Sequence, residues 1–300
     1  MNAETPRFLE SELEDAPARA CRFHIIPVPY EATTSYGQGT ARGPRAILAA
    51  SQQLEIWTGR AVPSASGIYT WPAVDVRGDP EDVLARIEAA VLLALSSGPG
   101  SHPPQDACRK TGPEVAALPV ILGGEHTVSL GALRALKKLH GHLGIVQFDA
   151  HADLRDSYEG TPYSHACVMR RAVDDLGLDL FQIGVRSLSQ EEHAFREARN
   201  IPCLDACGLK QADTEMLPPS FPEKVYLTFD VDALDSSLMP ATGTPEPGGL
   251  FWREALDLAG RALAGRVCLG FDVVELAPIP GMHAPDYTAA RLVHELMGLM

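Results

Sequence analysis

Short apolar runs alternate along the chain with stretches whose apolar residues recur every three or four positions. The runs are Arg22–Val28, Ile68–Trp71, Leu118–Leu122, Ile145–Phe148, Leu180–Val185, Ile201–Leu204, Val225–Phe229 and Val267–Val273. Near-continuous apolar character over so few residues predicts strands buried on both faces. Between Pro80 and Leu95 the apolar positions Val83, Leu84, Ile87, Val91 and Leu95 fall at helical spacing. The same logic places helices at Arg45–Leu54, Thr127–Leu139, His165–Leu176, Gln190–Asn200, Trp252–Leu263 and Tyr287–Met297, with Pro44 where helix entry tolerates proline. Strands alternating with amphipathic helices predict an α/β fold in three layers, a mostly parallel sheet covered by helices on both faces. Ligands of such sheets bind beyond the carboxyl ends of the strands. The stretch 96–112 is rich in Gly, Pro and Ser and without periodicity; it reads as a surface loop, too short to divide the chain. One domain spanning 1–300 is therefore expected, with no internal repeat.

Charge narrows the partners. The formal net charge of −14 argues against nucleic acid, which would be repelled, and agrees with a cationic small molecule. No apolar run is long enough for a membrane span, and Met1 to Ala20 is acidic rather than signal-like. The six cysteines are scattered, so free thiols in a cytoplasmic protein are expected.

The chemistry gathers where strands end. Ile145–Phe148 runs into Asp149-Ala150-His151-Ala152-Asp153, and extended chain would project its three polar groups to one face. Val225–Phe229 runs into Asp230-Val231-Asp232, and Leu118–Leu122 into Gly123-Gly124-Glu125-His126. Taken singly, each such residue has an ordinary explanation as a helix cap or a satisfied core group. Three strands delivering two imidazoles and four carboxylates to one edge is a poor coincidence. Crowded carboxylates need a compensating positive charge, and a pair of divalent cations supplies it.

These motifs, with Ser164-His165-Ala166, the run Ala241 to Gly249 and Asp272-Val273-Val274-Glu275, resemble those of the ureohydrolases, the family of arginases and agmatinases. The resemblance extends from about Pro27 to the last helix and is closest to agmatinases. It implies an arginase-like fold and two Mn²⁺ ions per subunit, one held by His126, Asp149, Asp153 and Asp230, the other by His151, Asp149, Asp230 and Asp232. A carboxylate-rich donor set with two imidazoles suits Mn²⁺ independently. Glu125 reads as a residue behind the ligands. The implied reaction is urea release from a guanidino substrate. His165 carries a proton to the departing amine, its ordinary alternative being a helix cap, and Glu275 binds and orients the guanidinium. Family members are commonly trimers or hexamers, so a homo-oligomer is expected.

Agmatine is the expected substrate. In Leu154-Arg155-Asp156-Ser157-Tyr158-Glu159-Gly160 the acids Asp156 and Glu159 would favour a free amine over the α-carboxylate of arginine. Arg155 cuts the other way and keeps guanidinobutyrate open, while an acidic mouth also fits aminopropylagmatine. Glu246, beside two prolines, reads as a solvated loop acid. Two other classes compete: a deacetylase of related fold using a single zinc, which six ligands argue against, and a non-catalytic relative that acts as a binding partner.

Overall fold

The computed structural model describes residues 5–99, 116–211 and 216–300; most of the loop expected over 96–112 lies outside them. Eight strands form one sheet: β1 (Phe23–Val28), β2 (Ile68–Thr70), β3 (Leu118–Gly123), β4 (Gly144–Phe148), β5 (Asp179–Ile183), β6 (Cys203–Leu204), β7 (Lys224–Asp230) and β8 (Val267–Val274). Their order is β2-β1-β3-β8-β7-β4-β5-β6, and every pairing is parallel. The helices are α1 (Gly43–Ala50), α2 (Pro80–Ser97), α3 (Ser129–His140), α4 (Val168–Asp174), α5 (Gln190–Ala198), α6 (Trp252–Leu263) and α7 (His283–Met297).

Side chains of a strand alternate between faces, and this alternation builds two cores. Val120 and Leu122 of β3, Val146 and Phe148 of β4, Leu227 and Phe229 of β7, and Phe271 and Val273 of β8 face one core, closed by α1, α6 and α7. Phe148 and Phe229 stack there at 5.0 Å between ring centroids, and burying each ring contributes about 2–3 kcal/mol. Ile121, Ile145, Tyr226 and Val274 face the other core, closed by α2, α3 and α4. The second face also carries Gln147, Thr228 and Asp272, all fully buried, among its apolar neighbours.

Local sequence explains the helix boundaries. Pro80 opens α2 with Glu81 and Asp82 in its first turn, where a helix N-terminus favours acids. Ser189 and Glu192 form a reciprocal capping box on α5. Two expected helices are modified: His165–Cys167 is a single 3-10 turn before α4, and His126–Val128 another before α3. Helix α7 begins at His283 rather than Tyr287, because Pro285 falls in the first turn, where its missing N–H forfeits no helical bond. Among the described residues no helix is long and apolar enough to cross a membrane, and five cysteines are free.

Candidate active site

Four adjacent strands, β3, β8, β7 and β4, bring their carboxyl ends together. At the end of β3 the chain passes so close to the segment after β1 that a Cβ on Gly124 would lie 2.0 Å from the Tyr30 carbonyl oxygen. Only glycine fits there. Gly124 N–H donates to Val28 O and Glu125 N–H to Tyr30 O, both at 2.9 Å, and His126 follows fully inside the protein. Strand β4 stops at Phe148, so the three polar groups of Asp149-x-His151-x-Asp153 do not converge by continued extension. Asp153 instead adopts a left-handed backbone, φ +54°, which turns its carboxylate back toward His126. After β7, Asp230 caps a 3-10 turn by accepting from Asp232 N–H at 2.8 Å, which sets the two carboxylates side by side.

The six predicted groups form one cluster. His126 Nδ1 lies 3.0 Å from Asp153 Oδ2, 3.1 Å from Asp149 Oδ2 and 3.6 Å from Asp230 Oδ2. His151 Nδ1 lies 3.0 Å from Asp232 Oδ2 and 3.7 Å from Asp149 Oδ1. Burial pushes Asp153 upward, the Asp149 charge adds to it, and its pKa reaches about 7. Asp230 stands well above the carboxylate range from burial and from Asp232 and Asp149. Burial alone would depress His126 and His151, but the facing carboxylates outweigh it and raise both.

Buried polar residues behind the cluster fix its geometry. Thr228 Oγ1 donates to Asp272 Oδ1 at 2.6 Å and lies 2.8 Å from His126 Nε2. With its one hydrogen committed, the hydroxyl accepts from Nε2–H, so Nδ1 presents a lone pair. Tyr226 Oη donates to Asp272 Oδ2 at 2.8 Å, and Gln147 Nε2 to Asp149 Oδ2 at 2.8 Å. Sequence reasoning gave Gln147 and Thr228 no role and Asp272 only a place in a motif. Their signal was a polar residue inside an otherwise apolar strand.

These contacts test whether two divalent ions fit. His126 Nδ1 is buried without a hydrogen-bond partner, yet two carboxylate oxygens stand about 3 Å from it. Acceptor facing acceptor at that distance calls for a cation between them. Two sets of donor atoms close enough to share an ion, His126/Asp149/Asp153 and Asp149/His151/Asp232, meet at Asp149. The residues fit a pair of ions, and the absence of a thiolate from either set speaks against a zinc preference.

A cavity of about 360 Å³ opens onto this cluster, and His151, Asp153, Asp230 and Asp232 contribute to its wall. Glu275 and His165 line it as well. Glu275 is held at φ +66°, its Oε1 accepting from His126 N–H at 2.7 Å. Burial first, and then the Glu125 charge, raise its pKa well above the usual range. Such backbone strain in a non-glycine residue concentrates at functional sites. His165 is not the helix cap: Ser164 is, accepting from Ala166 N–H. Burial lowers the His165 pKa.

The expected acidic mouth is placed differently. Asp156 is exposed and turned toward the arginines of α4, 2.5 Å from Arg171 and 3.8 Å from Arg170; Glu159 is exposed, and neither lines the cavity. Glu246, read as a solvated loop acid, is half-buried on the cavity wall. Arg186 holds it there, its Nη2 donating to the carbonyls of Glu246 (2.9 Å) and Asp232 (2.7 Å) while Nε donates to Pro247 O (3.1 Å). Arg155 lines the cavity too, its guanidinium 5.0 Å from the Tyr158 ring centroid and 3.9 Å from Glu192.

Known proteins resemble this chain in sequence and fold. The arginase-family model matches residues 21–298. An N(1)-aminopropylagmatine ureohydrolase of Synechocystis sp. is 37% identical over 97% of this chain and 93% of its own length. An agmatinase of Pyrococcus horikoshii is 32% identical over 98% of both chains. The crystal structure of agmatine ureohydrolase of Thermoplasma volcanium superposes with a TM-score of 0.81 at 29% identity, covering 98% of this chain and 94% of that one.

Proposed function

The chain belongs to the arginase family and is a hydrolase of the amidine C–N bond; from that premise we propose that it releases urea from a linear guanidino substrate with a cationic tail. The observation carrying this reading is the bunching of two imidazoles and four aspartates beneath a cavity that also exposes His165 and Glu275. We take residues 1–300 as one ureohydrolase domain that assembles as a homo-oligomer.

His126, Asp149, Asp153 and Asp230 would hold one Mn²⁺, and His151, Asp149, Asp230 and Asp232 the other. When bound, such a pair supplies hydroxide from water near neutral pH. Glu275 accepts N–H groups of the guanidinium; Oε1 already takes one from His126, and the remaining lone pairs orient the planar cation over the cluster. His165, neutral at working pH, takes up a proton and delivers it to the departing amine nitrogen. The amine and urea then leave separately.

The tail decides between substrates. Asp156 and Glu159, the acids from which agmatine was expected, lie off the cavity, and Glu246 takes over as the acid that meets an amine. Agmatine is the minimal substrate; N(1)-aminopropylagmatine has the same reacting end and a longer cationic tail. We rank the longer one first, because the 37% identical relative is named for it. The test is urea release with Mn²⁺ from agmatine, N(1)-aminopropylagmatine, guanidinobutyrate and arginine. The amine-tailed pair should give the highest kcat/KM, and Glu246→Gln should raise KM for that pair while sparing guanidinobutyrate. A preference for arginine or guanidinobutyrate would overturn the tail assignment.

A further inference from the structure

Thr33 does not line the cavity, yet its hydroxyl touches both His165 and Glu125. Thr33 Oγ1 donates to Glu125 Oε1 at 2.8 Å, accepts from His165 N–H at 3.1 Å, and stands 3.1 Å from His165 Nδ1. The same carboxylate accepts Ala32 N–H (2.6 Å), Thr33 N–H (2.7 Å) and the Thr127 hydroxyl (2.8 Å). Every partner of Glu125 is thus a donor, as an acceptor-only carboxylate requires.

The hydroxyl count then fixes a proton. A threonine hydroxyl has one hydrogen and two lone pairs. The hydrogen goes to Glu125 and one lone pair to His165 N–H, so only a lone pair is left for Nδ1. An imidazole nitrogen facing a lone pair must carry the hydrogen itself. Neutral His165 is then the Nδ1–H tautomer, and Nε2 is its basic nitrogen. Ser164 Oγ, the other hydroxyl near Nδ1, is farther off at 3.4 Å.

We propose that Thr33, held by Glu125, is a positioning residue that locks His165 in the Nδ1–H tautomer and so reserves Nε2 for proton transfer. This rests on the reading of His165 as the proton carrier, and the experiment separates the two. In histidine-labelled, metal-free protein at pH 8, the ¹⁵N shifts of His165, assigned against His165→Asn, report the tautomer without any turnover. The wild type is expected to show a protonated Nδ1 and a bare Nε2; the opposite pattern overturns the proposal.

Thr33→Val removes the hydroxyl and should give mixed tautomers. In the Mn²⁺-loaded enzyme it should lower kcat roughly tenfold, the worth of about one hydrogen bond, with KM little changed. Thr33→Ser keeps the hydroxyl and should restore both readings, which rules out general damage. Glu125→Gln is the sharper probe. With the amide oxygen toward the two backbone N–H groups, its NH₂ donates to Thr33, whose hydrogen is freed for Nδ1, and the tautomer should invert to Nε2–H. A wild-type tautomer in both Thr33→Val and Glu125→Gln refutes the proposal, as does a shift produced by Ser164→Ala but not by Thr33→Val. If Thr33→Val mixes the tautomers while kcat is unchanged, the tautomer lock stands and the assignment of His165 as proton carrier falls.

Discussion

Replacing Arg186 with lysine tests whether the cluster and the cavity wall are one mechanical unit. Arg186 Nη2 bridges the carbonyls of Asp232 and Glu246, Nη1 donates to Gly184 O at 3.1 Å, and Nε reaches Pro247 O. A single ammonium on a flexible stem cannot reproduce that fork, so at least two of these bonds are lost. Hydrogen bonds from a charged donor contribute about 1.5–3 kcal/mol each, less where solvent reaches the group. Arg186 is half-buried, so the lower half of that range applies, and losing two bonds in Arg186→Lys should cost about 3–4.5 kcal/mol. At about 2–4 °C per kcal/mol for chains of this order, Tm falls by roughly 6–18 °C. The cost to metal binding is one-sided. Loss of a residue that orients a ligand weakens metal affinity about 10–100-fold, and here the Asp232 backbone loses its Arg186 anchor while His126 keeps its Thr228–Asp272 support. Titrating metal-free protein with Mn²⁺ and reading the unbound ion by electron paramagnetic resonance should show one site unchanged and one weakened. Two equally tight sites at an unchanged Tm would refute the reasoning.

Chelation should abolish urea release and Mn²⁺ should restore it better than Zn²⁺; full activity in protein shown by elemental analysis to be metal-free would sink the two-ion reading. Far from the cluster, His294 is fully buried with neither ring nitrogen hydrogen-bonded, and burial, aided by Arg291, lowers its pKa to about 4. The folded state therefore binds this proton less readily than the unfolded chain does. The stability contributed by neutral His294 is complete above about pH 6.5 and is lost as pH falls toward 4, amounting to about 2 kcal/mol by pH 5. Denaturant midpoints at pH 7.5 and pH 5 should therefore differ less in His294→Leu than in the wild type, and an equal difference would show that His294 is not the source.

The sheet was legible because its strands are apolar on both faces, so length and punctuation identified them without alternation. Helix α6 falls where its periodicity placed it, whereas α4 shortened because the 3-10 turn at His165 takes the first positions of the expected helix. The cluster was legible for the same local reason: each of its groups lies within a few residues of a strand end. Roles set by distant partners were not. Asp156 belongs to the loop that should have met the substrate, but arginines fourteen and fifteen residues on draw it away. Glu246 looks like a solvated acid until Arg186, sixty residues earlier, is seen holding its backbone. Thr33 carries no signal, because its meaning lies in a count of hydrogens shared with residues 92 and 132 positions away.

The place of β8 bears on how the protein is made. It is the last strand to leave the ribosome, yet it lies in the middle of the sheet, with β3 on one side and β7 on the other. Until it emerges, the unit β2-β1-β3 and the unit β7-β4-β5-β6 share no backbone hydrogen bond within the sheet. His126 belongs to the first unit, and Asp149, His151, Asp153, Asp230 and Asp232 to the second, so the nascent chain holds two incomplete halves of the imidazole–carboxylate cluster. Strand β8 supplies Asp272, which orders His126 through Thr228, and leads directly into Glu275. Non-local pairing of this kind folds late and leaves strand edges open in the meantime. A chain arrested before Val267 would present two unpaired sheet edges to its neighbours, and tight binding of a metal pair would report that β8 has taken its place between them.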